Sequence, residues 1–109
     1  MYTIDILIDY AKNRYGKLRD ASNVAISVRD IVKGIDRGAR VIHFGSTIRG
    51  DWNADSDIDV LIILKDASAK DAIILKVFHE LDAPVELHFC TEEEFNNWYL
   101  KFIDVFTEL

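Results

Sequence analysis

The chain has 109 residues, half of them apolar, with one proline and one cysteine, enough for one domain, 1–109, with its own core, and too few thiols for an internal disulfide or a multi-cysteine zinc knuckle. The formal net charge of −6 divides into +4 over residues 1–50 and −10 over residues 51–109, a balance that argues against nucleic acid as a partner and suits a metal site or a basic protein. No apolar run approaches the roughly 18 residues of a membrane span, Asp5 and Asp9 break up the N-terminal apolar residues as a signal peptide would not, and a lone thiol fits a reducing, cytoplasmic setting.

Ile4, Leu7, Ile8, Ala11 and Tyr15 follow helical spacing, with Thr3 as a cap and Gly16 as an end. Val24, Val28, Ile31, Val32 and Ile35 predict a second helix, its end bracketed by Gly34 and Gly38. Residues 39–44 read as a short, mostly buried strand that stops at Gly45. Residues 57–64 form the clearest strand, apolar on both faces in its second half and therefore central in a covered sheet. Ser68, with Asp71 three residues on, is expected to cap a helix whose apolar stripe is Ala72, Leu75, Phe78 and Leu81, with Ile74 beside it. Pro84 opens a third strand, 85–90, with Val85, Leu87 and Phe89 on one face and Glu86, His88 and Cys90 on the other. Thr91 and Glu94 make a capping box for one last helix carrying Phe95, Trp98, Tyr99, Phe102, Ile103 and Phe106. The order predicts an α/β (α+β) domain with a small sheet of at least three strands packed with helices.

The chemistry concentrates between residues 44 and 60. Asp51, Asp55, Asp57 and Asp59 fall there with no basic residue among them. Asp57 and Asp59 sit two apart on a predicted strand, so they share a face, about 6.6 Å apart along the chain. Carboxylates held together repel unless protonated or bridged by a cation, and an all-oxygen set suits Mg²⁺ or Mn²⁺. Glu86, on the next strand, points away from the core as they do and can complete a three-carboxylate site for phosphoryl or nucleotidyl transfer. Gly45 lets a phosphate approach the backbone, Ser46 offers a hydroxyl and can begin a short helix whose free N–H groups favour an anion, and Arg49 can reach a triphosphate with a forked donor.

Other patterns are weaker. Asp51, Asn53, Asp55 and Ile58 match positions of an EF-hand loop, but Ser56 stands where glycine is needed and Ile62 where glutamate is. Glu86, His88 and Cys90 share a face, yet consecutive same-face positions of one strand rarely build a zinc tetrahedron, so His88 reads either as a neighbour of the acidic site or as simply solvated. His43 reads as structural. Lys12, Arg14, Lys17 and Arg19 read as a solvated basic face. The aromatic residues of the last helix exceed one narrow stripe, leaving part of them to dock a partner.

Phe44-Gly45-Ser46, ten residues from Thr47 to Ser56, then Asp57-Ile58-Asp59-Val60 resembles the nucleotidyltransferase signature of the DNA polymerase beta-like superfamily. Arg49-Gly50 and Ser56 match that pattern inside the spacer, and the length resembles the minimal nucleotidyltransferases. The resemblance implies a mixed sheet backed by helices. It implies that Asp57, Asp59 and Glu86 are the catalytic metal ligands, and that Gly45, Ser46, Arg49 and Ser56 bind the nucleotide. Two departures stand out: the third acid is often Asp where this chain has Glu86, and Thr47 replaces a residue that is often basic. With no added domain to grip an acceptor, the resemblance implies a second copy or a partner protein. Minimal members often pair with a helical HEPN-type toxin, transferring AMP from ATP to it as the antitoxin. The alternative is a non-catalytic module that neutralises a helical partner by contact.

Overall fold

The structure, a computed structural model, describes residues 2–109, with side chains from residue 5 onward. Thr3 lies inside α1 rather than capping it; its side chain and that of Ile4 lie outside the described residues. Two helices come first, α1 (Tyr2–Arg19) and α2 (Ala21–Ile35). Then follow β1 (Arg40–Phe44), the single turn α3 (Ser46–Arg49), β2 (Ile58–Ile63), a 3₁₀ turn at Ala67–Ala69, α4 (Lys70–Glu80) and β3 (Val85–Cys90). The C-terminal segment runs through α5 (Glu92–Glu94), a π-helical turn Phe95–Tyr99, α6 (Leu100–Phe102) and β4 (Phe106–Glu108). The four strands form one mixed sheet in the order β3-β2-β1-β4. β2 pairs parallel with β3 and antiparallel with β1, and β1 pairs antiparallel with β4.

Period-two alternation along β2 divides the molecule. Ile58, Val60 and Ile62 face α2 and α4, where they pack with Val28, Val32, Ile73 and Val77 in the main core. Leu61 and Ile63 face the other way, into a smaller cluster with Ile42, Cys90 and Phe95. Each fully buried Ile or Val contributes about 1.5–3 kcal/mol, so the helical face carries most of the stability. Asp36, just past α2, is buried and accepts the backbone N–H groups of Lys65 and Asp66 at 2.9 and 3.0 Å. It ties the end of α2 to the exit from β2.

Several elements depart from the sequence reading. α1 runs through Gly16 to Arg19 rather than ending at the glycine. Asp66, not Ser68, caps the turn into α4, its carboxylate accepting from the Ser68 N–H and hydroxyl. α4 buries Ile73 and Val77 and leaves Leu75 and Phe78 largely exposed. The expected stripe stepped by three residues throughout, and at 3.6 residues per turn such a series drifts about 60° per step. The series Ala69, Ile73, Val77 and Leu81 drifts less and stays on the sheet.

The last segment is not one helix. Its capping box forms as expected, Thr91 and Glu94 bonding reciprocally. The helix then widens into the π turn and stops at Ile103, whose φ/ψ of −99°/105° is extended. Phe106–Glu108 becomes a fourth strand along the outer edge of β1. Arg40 fastens this arrangement: its guanidinium pairs with Glu92 and Glu108 and lies 4.9 Å from the centre of the Phe95 ring.

Candidate functional site

β1 and β2 deliver the site because their register sets Phe44 opposite Asp59. The chain leaves β1 through Gly45, whose φ of +84° favours glycine on backbone grounds alone. A Cβ there would also fall 2.2 Å from Asp59 Oδ2. The Asp59 carboxylate therefore occupies the space that any other residue at position 45 would fill. Ser46 opens α3, and Gly50 closes it in the left-handed conformation. His43 is buried under this turn and shares a 2.8 Å hydrogen bond with Thr47 Oγ1. Burial lowers the His43 pKa against the pull of Asp59, which fits the structural role expected of it.

On the other side of β2, the parallel register sets Asp59 beside Glu86. His88 lies two residues further along the same face of β3. Its Nε2 is 3.2 Å from Asp59 Oδ1 and 3.8 Å from Glu86 Oε1. One ligand atom from each of Asp59, Glu86 and His88 falls within 4.8 Å of the others. The bond to Asp59 raises the His88 pKa most; burial opposes it, and the Glu86 and Asp59 charges add to the rise. When protonated, the imidazole offsets the repulsion between the two carboxylates. The His88 ring also packs against Phe44, centroid to centroid 5.2 Å.

Asp57 stands apart from this trio. It precedes β2 and pairs with Arg14 of α1, Nη2 to Oδ1 at 3.1 Å. Arg14 also donates to the carbonyls of Ser56 at 2.6 Å and Ala54 at 2.9 Å. The residue read as part of a solvated basic face is the clamp on the acidic loop. No local pattern could reveal it, because its partners lie 40 to 43 positions away. Tyr15 adds a second tie from α1, its ring 5.1 Å from that of Trp52. Ser56 shapes the same loop, its hydroxyl accepting the Asn53 N–H at 2.9 Å. Asp51 pairs with Arg49 at 3.3 Å, and Asn53 Oδ1 accepts the Asp55 N–H at 2.8 Å. Asp51 and Asn53 of the EF-hand-like pattern are thus engaged in a salt bridge and a turn, and Ile58 belongs to the core.

Two hollows meet the acidic residues. One, of about 250 Å³, gathers Gly45, Ser46, Arg49 and Asp59 against Phe44 and the 102–105 segment. The other, of about 470 Å³, lies between α4 and β3 and is lined by Asp57, Glu86, Lys70 and apolar side chains that include Phe78 and Leu87. Ser56 lines neither. Cys90 is buried at the far end of β3, and burial with nearby glutamates pushes its thiol up to about 11. It lies outside the group formed by Asp59, Glu86 and His88.

The donor set fits a divalent cation: two carboxylates on adjacent strands supply hard oxygens, and a single imidazole accompanies them.

A family model described as a nucleotidyltransferase domain matches residues 25–107, well over half of the chain. Among solved structures, one described as a candidate nucleotidyltransferase is similar at 28% identity, covering 76% of this chain and 94% of that one, with a TM-score of 0.61. A second, a candidate nucleotidyltransferase from Sulfolobus solfataricus, shares 19% identity over 81% of this chain and 84% of that one, with a TM-score of 0.44. No curated protein matches this chain.

Proposed function

The chain belongs to the nucleotidyltransferase domain family, within the DNA polymerase beta-like superfamily, and from that premise we propose that it transfers AMP from ATP to a hydroxyl of a partner protein. The observation that carries the proposal is the meeting of Asp59 and Glu86 beside Gly45. Asp59 and Glu86 are the residues that would hold Mg²⁺ or Mn²⁺, with Asp57 joining through the carboxylate oxygen outside its bond to Arg14. Such a cation, when bound, neutralises phosphate charge and makes an attacking hydroxyl more acidic.

The protein's own groups supply the remainder. Gly45 and Ser46 hold the phosphates close to the backbone, and Arg49 offers a cationic fork that would leave Asp51 for the triphosphate. The acceptor hydroxyl oxygen bonds to the α-phosphorus as the bond to the α,β-bridging oxygen breaks. Pyrophosphate leaves with that electron pair. The hydroxyl proton passes to Glu86, whose side chain is 55% exposed against 20% for Asp59. Arg14 keeps Asp57 and the loop before β2 in place.

The hollow between α4 and β3 supports a polypeptide acceptor over a nucleic acid: apolar side chains share its wall with polar ones, and Asp57 and Glu86, outnumbering Lys70, repel a phosphate backbone. A HEPN-type helical toxin, with this chain as its antitoxin, is the partner to which the minimal-nucleotidyltransferase resemblance points. Incubation with α-labelled ATP, Mg²⁺ and such a partner should label the partner, and Asp59→Asn should abolish labelling. Transfer retained in both Asp57→Asn and Asp59→Asn would refute the metal assignment.

Exposed Leu75, Phe78 and Trp98 favour a second reading, neutralisation of the partner by contact alone. In that case Asp59→Asn leaves neutralisation intact while Trp98→Ala or Phe102→Ala weakens it.

A further inference from the structure

α6 ends in an aromatic side chain that the core does not use. Phe102 is 66% exposed, although the same segment buries Phe95. The Phe102 ring packs against that of Trp98, ring centroids 5.0 Å apart and planes at 48°. Phe102 is the last residue of α6, and Ile103 after it is extended. Phe102 also lines the same hollow as Gly45, Ser46, Arg49 and Asp59.

That hollow is mainly polar, with apolar surface from Phe44 and from the C-terminal segment. Gly45, Ser46, Arg49 and Asp59 gather at the β1–β2 end. Phe102, Ile103 and Val105 supply the apolar wall, and Asp104 is the one charged group from the C-terminal segment. A triphosphate is repelled from the Asp104 end and attracted to Arg49. A flat, weakly polar ring system is accommodated where the phosphates are not.

We propose that Phe102, packed against Trp98, is the stacking platform for the nucleobase, so that the C-terminal segment selects a purine nucleoside triphosphate over a bare polyphosphate. This rests on the nucleotidyltransferase reading above, and it assigns the base to a segment that the phosphate-binding motif does not include. Base-on-aromatic stacking is a general device with an effect of roughly 1–3 kcal/mol per base, equivalent to about 5- to 150-fold in affinity. The larger ring system of a purine covers more of Phe102 than a pyrimidine does. The two strands and the loop that hold the metal ligands therefore set the chemistry, and the last turn of helix sets the nucleotide.

The test uses the full chain with Mg²⁺ and three ligands: ATP, UTP and inorganic tripolyphosphate. Dissociation constants come from calorimetry, with tryptophan fluorescence as a second readout, since Trp98 touches Phe102. The wild-type chain should bind ATP about tenfold or more tightly than tripolyphosphate, with UTP between them. Phe102→Ala should bring ATP down to the tripolyphosphate value and leave tripolyphosphate itself unchanged. Phe102→Tyr, which keeps the ring, should retain the preference, and circular dichroism should show all variants folded. Equal weakening of both ligands in Phe102→Ala, or no change in ATP binding, overturns the platform while leaving the phosphate site intact. If the wild-type chain binds neither ATP nor tripolyphosphate, the nucleotide reading itself fails and the platform with it.

Discussion

The two faces of β2 differ in kind although they share one strand. On the helical face, Ile58, Val60 and Ile62 are sealed by α2 and α4. On the opposite face, only the C-terminal segment is available as cover. It seals Leu61 and Ile63 but leaves Asp59 beside Glu86 and His88. The open face can lose a carboxylate and keep its fold, whereas the closed face can lose methyl groups and keep its chemistry. Stability and reactivity are thus separated by a rotation of one residue along a strand.

Breaking the open face should produce the largest effect on activity. Asp59→Asn is expected to reduce nucleotidyl transfer about a thousandfold, several kcal/mol of charge stabilisation. The melting temperature should hardly fall, because the substitution also relieves repulsion with Glu86. A thermal scan beside a transfer assay checks both; a collapse in stability would place Asp59 in the fold rather than the chemistry.

The closed face should answer in the opposite way. Ile62→Ala is expected to cost about 2–5 kcal/mol in urea unfolding, while transfer measured at low temperature, where the variant remains folded, keeps its rate. Gly45→Ala joins the two faces: the new Cβ meets Asp59 Oδ2, and the backbone angle is unfavourable. It should lose about 1–3 kcal/mol together with most metal affinity, and calorimetric titration with Mn²⁺ would detect the latter.

Two weaker changes sharpen the same contrast. Arg14→Gln frees the loop before β2 and should slow transfer by about tenfold, with a stability change below about 1 kcal/mol because the pair with Asp57 is partly exposed. The smallest expected effect is at the β4 edge. The Arg40 bond holds the Glu108 carboxyl below its ordinary value. In the folded chain Glu108 therefore keeps its charge to lower pH than in the unfolded chain. Its contribution is fully present above the ordinary carboxylate value near 4.5 and is lost as pH falls through the depressed folded value. Both partners are partly exposed, so the contribution stays below about 1 kcal/mol. Urea midpoints of wild type and Glu108→Gln should differ at pH 7 and draw together as the pH falls below about 4.5.

Among the described residues, no helix is long and apolar enough to cross a membrane. The acidic half of the sequence is likewise reflected in the structure, since Asp57, Asp59 and Glu86 all reach the two hollows beside the sheet.

What the amino-acid order determined by itself is whatever a short window contains. The alternation of β2 and β3, the Gly45-Ser46 turn and the capping box at Thr91 depend on neighbours within a few residues, and each was legible. The tertiary structure decided which apolar arc of α4 meets the sheet, because Leu75 and Phe78 are as hydrophobic as Ile73 and Val77 and only the sheet's position distinguishes them. It also decided that Phe106–Glu108 would complete the sheet, since a free edge on β1 offers hydrogen bonds that no local propensity reveals. It brought Arg14 to Asp57 and His88 to Asp59, because ion pairs between distant positions leave no periodic trace in the chain. Local physics wrote the elements; the pairing of remote surfaces assigned them their roles.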